Sequence, residues 1–310
     1  MLISVIMLMY NREKLVRNAI QSIINQTFRN FEFIIIDNGS TDNSRSIAEE
    51  YMRQDDRIQV YAIDKSSIGK ARNIGLQYAK GEYITFIDDD DFADTDMLEF
   101  FYKNIEQYDA DIVICGTNIG TSADDMHPNQ SYNKKYIMMP EKAVYYLLER
   151  KLYNAGFPGK CIKDSIMRCF PFEEHRQSED IATSYKVLAS SRCTVAHGVP
   201  KYNILRHSNN NSLYTTDGSK WTPELLDDYF EVYSERTAWL SDKLPQLKDY
   251  TIYSEWSFLI SMCNKINRYN LKDCSAQLEY VMNILKSNKD EFLNSEYIKD
   301  FEREWMELYI

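Results

Sequence analysis

Five apolar runs of strand length alternate with amphipathic stretches over the first 115 residues, and that alternation does most to limit the fold. The runs cover residues 2–9, 31–36, 58–63, 83–87 and 111–115. The first, second and fourth are almost unbroken in apolar character, as in parallel strands covered on both faces. Between the first two, Leu15, Val16, Ala19, Ile20, Ile23 and Ile24 recur at helical spacing and mark one buried stripe. Residues 69–80 predict a second helix, with Gly81 placed to end it in a left-handed conformation. Strands alternating with helices build β-α-β units and hence an α/β fold with a mostly parallel, doubly wound sheet.

The regular pattern dissolves at residues 116–133 into Gly, Ser, Asn, Asp and Pro, which predicts a long loop. A less regular α+β stretch follows over 139–212, with a helix after Glu179 and a strand over 195–205. Beyond Thr222 the chain reads as helical throughout. Ile252, Trp256, Leu259, Ile260, Cys263 and Ile266 form its clearest stripe.

Charge narrows the function. A net charge of −11 argues against nucleic acid as partner, because such proteins carry a basic footprint. A phosphorylated substrate stays compatible with it, since a bound metal reverses the local field. The six cysteines form no C-x-x-C pair and no regular spacing, which speaks against structural zinc and a disulfide framework. The apolar run at residues 2–9 is too short for a membrane span and has no signal-peptide layout. No transmembrane segment and a cytoplasmic location are therefore expected.

Three polar clusters fall at the carboxyl ends of predicted strands. Tyr10-Asn11-Arg12 follows the first strand, Asp37-Asn38-Gly39-Ser40 follows the second, and Asp88-Asp89-Asp90-Asp91 follows the fourth. Ligands of open α/β sheets bind on that rim. Four adjacent carboxylates repel one another unless something cationic joins them, and a divalent metal carrying a diphosphate meets that need. An aromatic ring can stack on a base, and an aspartate can accept from base or ribose.

These segments, in this order, resemble an inverting glycosyltransferase of family 2, with the GT-A nucleotide-diphospho-sugar transferase fold. The likeness runs from Ser4-Val5-Ile6 and Tyr10-Asn11-Arg12 through Ile36-Asp37-Asn38-Gly39-Ser40-Thr41-Asp42. It continues in Ala71-Arg72-Asn73-Ile74-Gly75 and Lys80-Gly81-Glu82-Tyr83-Ile84, and reaches the Asp run. A weaker likeness extends through Ser178-Glu179-Asp180 to Arg206-His207 and Ser212. The resemblance implies that Leu8, Tyr10, Arg12, Asp37, Asn38, Arg72, Asp88, Asp89 and Arg206 bind the nucleotide-sugar. It implies Asp90 as principal ligand of a divalent metal (Mn²⁺ or Mg²⁺), with His207 a further ligand. Asp180 is the expected catalytic base, with Glu179 positioning it or binding acceptor hydroxyls. Lys160 matches a family lysine with a substrate-side role, whereas His175 and Arg176 read better as a solvated loop than as acceptor lining.

Two departures stand out. Leu8-Met9 replaces the family's usual Pro-Thr, and Asn38 replaces a frequent Asp. Uridine remains the expected base, with thymine and cytosine left open.

The resemblance divides the chain into a nucleotide-sugar half over 1–118, an acceptor half over 119–215 and a C-terminal helical extension over 216–310. It implies transfer of a sugar from a nucleotide-sugar donor, a UDP-sugar first, to a hydroxyl of a glycan or lipid-linked saccharide acceptor, in bacterial surface polysaccharide synthesis. Peripheral membrane contact and a homo-oligomer through the acidic helical tail are compatible with it. The alternative is a catalytically silent sugar-nucleotide or glycan-binding protein on the same fold. Nucleotidyltransferase and dinucleotide oxidoreductase chemistry lack their glycine-rich loops here.

Overall fold

The computed structural model describes residues 1–208, 210 and 217–310; Ser212 lies outside them. It divides into two compact units, Met1–His207 and Ser208–Ile310.

The first unit is built on one mixed sheet. Strands β1 (Ile3–Met9), β2 (Phe31–Asp37), β3 (Ile58–Ala62) and β4 (Tyr83–Asp88) run parallel, and β1 lies between β2 and β4. The remaining strands are β5 (Phe92–Ala93), β6 (Ile112–Gly120), β7 (His127–Pro128), β8 (Lys135–Met138), β9 (Lys160–Lys163) and β10 (Thr194–Leu205). The sheet order is β3-β2-β1-β4-β9-β6-β10-β5, with β7 against β6 and β8 against β10. β9 is antiparallel to both neighbours, so β6 and β10 run in the direction of β4. The carboxyl ends of β1, β2, β4 and β10 thus share one rim.

Burial explains the unbroken apolar runs. Every residue of β2 is buried, and so is every residue of β1 except Leu8. Helices α1 (Val16–Ile24), α2 (Ser44–Met52), α3 (Ile68–Tyr78) and α4 (Met97–Tyr108) cover the first strands. The α1 stripe of Val16, Ala19, Ile20 and Ile23 is fully buried in the same core as Val5, Met7 and Phe33. Helices α5 (Pro140–Glu149), α6 (Asp164–Met167) and α7 (Glu179–Ala189) complete the unit.

Two expectations are corrected. Gly81 does not end α3 in a left-handed conformation: the helix stops at Tyr78, Ala79 is extended, and only Gly39 and Gly159 have positive φ among the described glycines. Gly81 is required for space instead, because a Cβ there would lie 2.6 Å from Ser4 N and Oγ. The stretch 116–133 is not all loop. β6 continues to Gly120 because β10 pairs beside it from Thr194↔Ile112 to Leu205↔Gly120, and β7 joins its other side. Long-range pairing overrides the local turn chemistry that Gly, Ser and Asn announce.

The second unit is helical, as the 3.6-residue period indicates. Its helices are Pro223–Lys243, Lys248–Arg268, Ser275–Ser287, Lys289–Leu293 and Asp300–Tyr309. Thr222 caps the first by accepting from Leu225 N, with Pro223 in the first helical position. Leu259, Ile260, Cys263 and Ile266 are buried, and Phe258 stacks on Tyr233 at 3.7 Å between ring centroids. Among the described residues, no helix is long and apolar enough to cross a membrane. All six cysteines are free thiols.

Candidate active site

The loops after β1, β2 and β3 are sewn into one body by side chains that bond backbone. Asn11 turns the chain at φ 52 and donates its N–H to Ser40 Oγ (3.1 Å), while its Oδ1 accepts from Thr41 N (2.8 Å). Arg12 N donates to Ser44 Oγ at 2.7 Å. Asp37 is buried and accepts from Ser40 N through Oδ1 at 3.1 Å. Gly39 adopts φ 81, and a Cβ there would fall 2.8 Å from Lys65 N, so only glycine lets the two loops approach this closely. Asn38 contributes to the same junction. Its Nδ2 donates to Ser66 O (3.0 Å) and its Oδ1 accepts from Ser66 N (2.9 Å) and Oγ (3.0 Å). Its amide therefore faces the neighbouring loop with both its donor and its acceptor.

Leu8 pairs with Ile36 on one side and Asp88 on the other, and Met9 pairs with Asp37. That register gathers Tyr10, Asp37 and the Asp run at one end of the sheet. Tyr10 is 38% exposed, and the Lys65 ammonium lies 3.1 Å from its ring centroid.

The four aspartates split into two kinds. Asp89 and Asp91 are buried and hold the frame. Asp89 Oδ2 accepts from Tyr10 N at 2.8 Å, and its Oδ1 lies 3.4 Å from Arg12 Nε. Asp91 accepts from Tyr202 OH and from Leu205 N, each at 2.8 Å, and so fixes the end of β10. Burial pushes the Asp89 carboxyl up to about 8, opposed by the Tyr10 N–H and Arg12. It also raises Asp91, with the Asp88 and Asp90 charges adding.

Asp88 and Asp90 are the other kind. Asp88 keeps solvent access, yet protein crowds it. That desolvation pushes its carboxyl up to about 6; Arg72 opposes the rise, and the Asp90 and Asp180 charges add to it. Asp90 Oδ2 lies 2.9 Å from His207 Nε2 and 3.4 Å from Arg12 Nε. The tether of Leu205 to Asp91 and the bond from Arg206 N to Gly120 O (2.7 Å) bring His207 to this point.

A buried ion pair links this rim to the second half of the sheet. Arg72 Nη1, from α3, donates to Glu179 Oε1 at 2.6 Å, at the start of α7. The guanidinium also lies 5.1 Å from the Phe172 ring centroid, with Phe86 and Phe157 at 5.7 and 5.8 Å. Burial nevertheless pushes Glu179 up to about 7, with Arg72 opposing and Asp180 adding. Asp180 is only half-buried and accepts from Ile181 N at 2.8 Å through Oδ1. Lys160 is buried and donates to Gly156 O; desolvation brings its ammonium down to about 8, while Cys115 and Asp180 oppose that fall.

The sheet rim and α7 thus bring Asp88, Asp90, Arg12, Arg72, Glu179, Asp180 and His207 into one charged neighbourhood. His175 is exposed, as a loop residue would be, but Arg176 is not solvated: it is buried and ion-paired with Glu173. Two participants carried no sequence signal of their own. Lys65 acts on the Tyr10 ring, and Tyr202 acts on Asp91 and Asp88, which lie 111 and 114 residues away in the chain.

Metal donors fit the place. A carboxylate oxygen and an imidazole nitrogen converge at Asp90 and His207, a set suited to Mn²⁺-type ions. Among the described residues no three His, Cys, Asp or Glu side chains gather as a complete set, so remaining ligands would come from phosphate and water.

The chain is 29% identical over 248 residues to the glycosyltransferase GlyG of Streptococcus pneumoniae serotype 4, covering 76% of this chain and 80% of GlyG. It is 40% identical over 112 residues to GlyA of the same strain, covering 36% of this chain and 16% of GlyA. The poly(ribitol-phosphate) beta-glucosyltransferase of Bacillus spizizenii is 26% identical over 212 residues, 66% of this chain and 32% of that protein. Of several relatives, therefore, the match spans only a minor part. In fold, the chain resembles S. aureus TarS 1-349 in complex with UDP-GlcNAc, with a TM-score of 0.70 at 19% identity over 100% of this chain and 91% of TarS 1-349. It resembles the mannosyltransferase PcManGT of Pyrobaculum calidifontis, in complex with GDP-Man and Mn²⁺, with a TM-score of 0.57 at 14% identity over 99% and 83%. The model of glycosyl transferase family 2 matches residues 4–176, more than half of the chain, and the protein is a glycosyltransferase of that family.

Proposed function

We propose that the protein is an inverting, divalent-metal-dependent glycosyltransferase that takes a nucleoside-diphosphate sugar, a UDP-sugar first, and delivers the sugar to a hydroxyl of a glycan or lipid-linked acceptor. One observation carries the reading: Arg72, on the helix beside the donor rim, donates to Glu179 at 2.6 Å, which brings the start of α7 and with it Asp180 toward Asp88. On this reading the donor site and the candidate base lie on the two sides of the Arg72–Glu179 pair.

Tyr10 and Asp37 would hold the nucleoside, and Asp88 the ribose. Asp90 and His207 would hold the metal, which when bound neutralises charge building on the departing diphosphate. Arg12, Arg72 and Arg206 offer guanidinium donors suited to phosphate oxygens. Asp180, half-buried at the start of α7, would take the acceptor hydroxyl's proton as its oxygen attacks the anomeric carbon opposite the leaving group. Glu179, held by Arg72, would fix the position of that end of α7. Asn38 is better read as a loop tie than as a base contact, because its amide is paired with Ser66.

The division into a nucleotide half (1–118), an acceptor half (119–215) and a helical extension (216–310) follows from this assignment. One relative named for poly(ribitol-phosphate) glucosylation and another named for minor teichoic acid biosynthesis favour an anionic cell-surface polymer or its lipid-linked precursor as acceptor, met at the cytoplasmic face of the membrane. Exposed Phe301 and Leu308 on the last helix would serve self-association.

The test is a screen of nucleotide sugars for release of nucleoside diphosphate, with and without acceptor and chelator. Metal-dependent release is expected. Release that ignores chelator sinks the metal assignment, and tight nucleotide-sugar binding with no turnover on any acceptor favours the silent alternative.

A further inference from the structure

We propose that the corner formed by β8 and the start of α5 docks the protein on an anionic lipid surface, with Ile137 and Met139 entering the interface and Lys134 and Lys142 meeting the head groups. The inference extends the reading of a lipid-linked acceptor by naming the surface that meets the bilayer, and it uses none of the donor-site residues.

Three observations carry it. Ile137 and Met139 are 59% and 64% exposed, while Met138 between them is buried. The backbone is still extended at Met139, so the alternation of a strand turns both large apolar side chains outward together. Among the described residues the only large apolar side chain so open is Leu308, and its helix also carries Glu304 and Glu307, which an anionic surface would repel.

Charge is the second observation. Residues 132–151 hold five Lys or Arg against two Glu, in a chain whose net charge is −11. Lys134 and Lys142 are exposed, and neither has a carboxylate partner among the described residues. Their ammonium groups lie instead over tyrosine rings, Lys134 at 5.0 Å from the Tyr136 centroid and Lys142 at 4.7 Å from that of Tyr146. Lys142 stands three residues after Met139, which places the two on one side of the first turn of α5.

The rings are the third. Tyr132, Tyr136, Tyr146 and Tyr145 follow one another edge to face, with centroids 5.7, 5.3 and 5.7 Å apart. Tyrosine gathers where hydrocarbon meets water, and a lysine stem lies along apolar surface while its ammonium reaches polar groups. Two other occupants fit less well. A second copy docked face to face would set lysine against lysine, and lysine on an edge strand such as β8, which pairs only β10 among the described strands, disfavours strand pairing. A soluble polyanion would answer the lysines and leave Ile137 and Met139 in water. A lipid surface answers both.

The experiment is flotation of the full chain, without nucleotide, on vesicles of phosphatidylglycerol mixed with phosphatidylcholine and on vesicles of phosphatidylcholine alone. Wild type should bind the anionic vesicles, less well as salt rises, and leave the neutral ones. A lysine near such a surface is worth about 1 kcal/mol, or about fivefold, so Lys134→Gln/Lys142→Gln should bind roughly 30-fold more weakly. Ile137→Ser/Met139→Ser should lose at least about tenfold, the worth of partly burying two such side chains. Phe301→Ser/Leu308→Ser should bind as wild type does. Wild type that ignores anionic vesicles, or either corner variant that binds them like wild type, overturns the inference. Inorganic polyphosphate bound as tightly as the vesicles assigns the corner to a soluble polyanion and overturns it too. All four corner side chains are exposed, so melting temperatures should match wild type; if the serine pair melts early, the lysine pair and the polyphosphate arm decide. With no nucleotide present, failure here leaves the donor-site reading standing, and failure of the nucleotide-sugar screen leaves the docking surface standing.

Discussion

The two acidic clusters of the site are built by opposite means and reach the same division of labour. In Asp88–Asp91, at the end of a strand, the carboxylates alternate: Asp89 and Asp91 are buried against backbone N–H groups and the Tyr202 hydroxyl, while Asp88 is exposed and Asp90 half-buried. In Glu179–Asp180, at the start of a helix, one carboxylate is buried against Arg72 and its neighbour is half-exposed. Each cluster therefore pairs a group that fixes backbone with a group available to substrate. What differs is the partner. The strand cluster is held mainly by neutral donors and the helix cluster by a full guanidinium charge, yet burial pushes the frame carboxyls of both up.

That contrast predicts which substitutions stop turnover and which loosen the frame. The largest effect belongs to Asp180→Asn: turnover should fall about a thousandfold, within the range of a lost general base, while nucleotide affinity and melting temperature stay put. Glu179→Gln should lose far less, because it keeps a side chain of the same shape beside Arg72. Equal losses in the two would erase the proposed division in the helix cluster. Next comes Asp90→Asn, for which kcat/KM should drop about a hundredfold and the Mn²⁺ concentration needed for half activity should rise. Asp91→Asn should instead lower the melting temperature and leave the metal requirement unchanged. If Asp91→Asn shifts the metal requirement and Asp90→Asn does not, the alternation along the strand has been assigned backwards.

Smaller again is Arg72→Met. Removing one partner of a buried pair typically costs 3–5 kcal/mol, and here about 3 is expected, because Glu179 is already pushed toward its neutral form. Denaturant unfolding should show Arg72→Met/Glu179→Gln recovering much of that loss, as the uncompensated carboxylate is gone. A double variant as unstable as the single one would move the effect to the aromatic rings that surround the guanidinium, Phe86, Phe157 and Phe172.

Much of this was legible in the chain because it is local. The runs of β1, β2 and β4 and the α1 stripe follow from period and burial, and the rim follows from where polar residues succeed apolar ones. What escaped is what depends on distant partners. Nothing near Gly116 announces that β10 will extend β6 to Gly120, and nothing near Tyr202 announces two bonds to the Asp run. Asn38 shows the same limit from the other side: its sequence position matches a base-binding residue, but only the fold reveals Ser66 beside it. Gly81 was correctly marked as special and for the wrong reason, since a helix stop and a close approach to Ser4 both call for glycine.

The smallest expected step, up to about 1.4 kcal/mol per pH unit, is a pH dependence, and it bears on the helix cluster's frame. The Glu179 carboxyl is pushed up to about 7 in the folded protein from an ordinary 4.5. Between those values the folded state holds its proton more tightly than the unfolded state, so stability falls as pH rises through the window. Below about 4.5 both states are protonated and the contribution is whole; above about 7 both are ionised and it is gone. Glu179→Gln removes the group, so wild type should lose ground to the variant by up to about 1.4 kcal/mol per pH unit across that window and by nothing outside it. Urea unfolding at pH 5, 6, 7 and 8 reads the difference directly. If wild type gains on the variant instead, the 2.6 Å bond to Arg72 outweighs burial, and the helix cluster is then held by an ion pair that is charged at neutral pH.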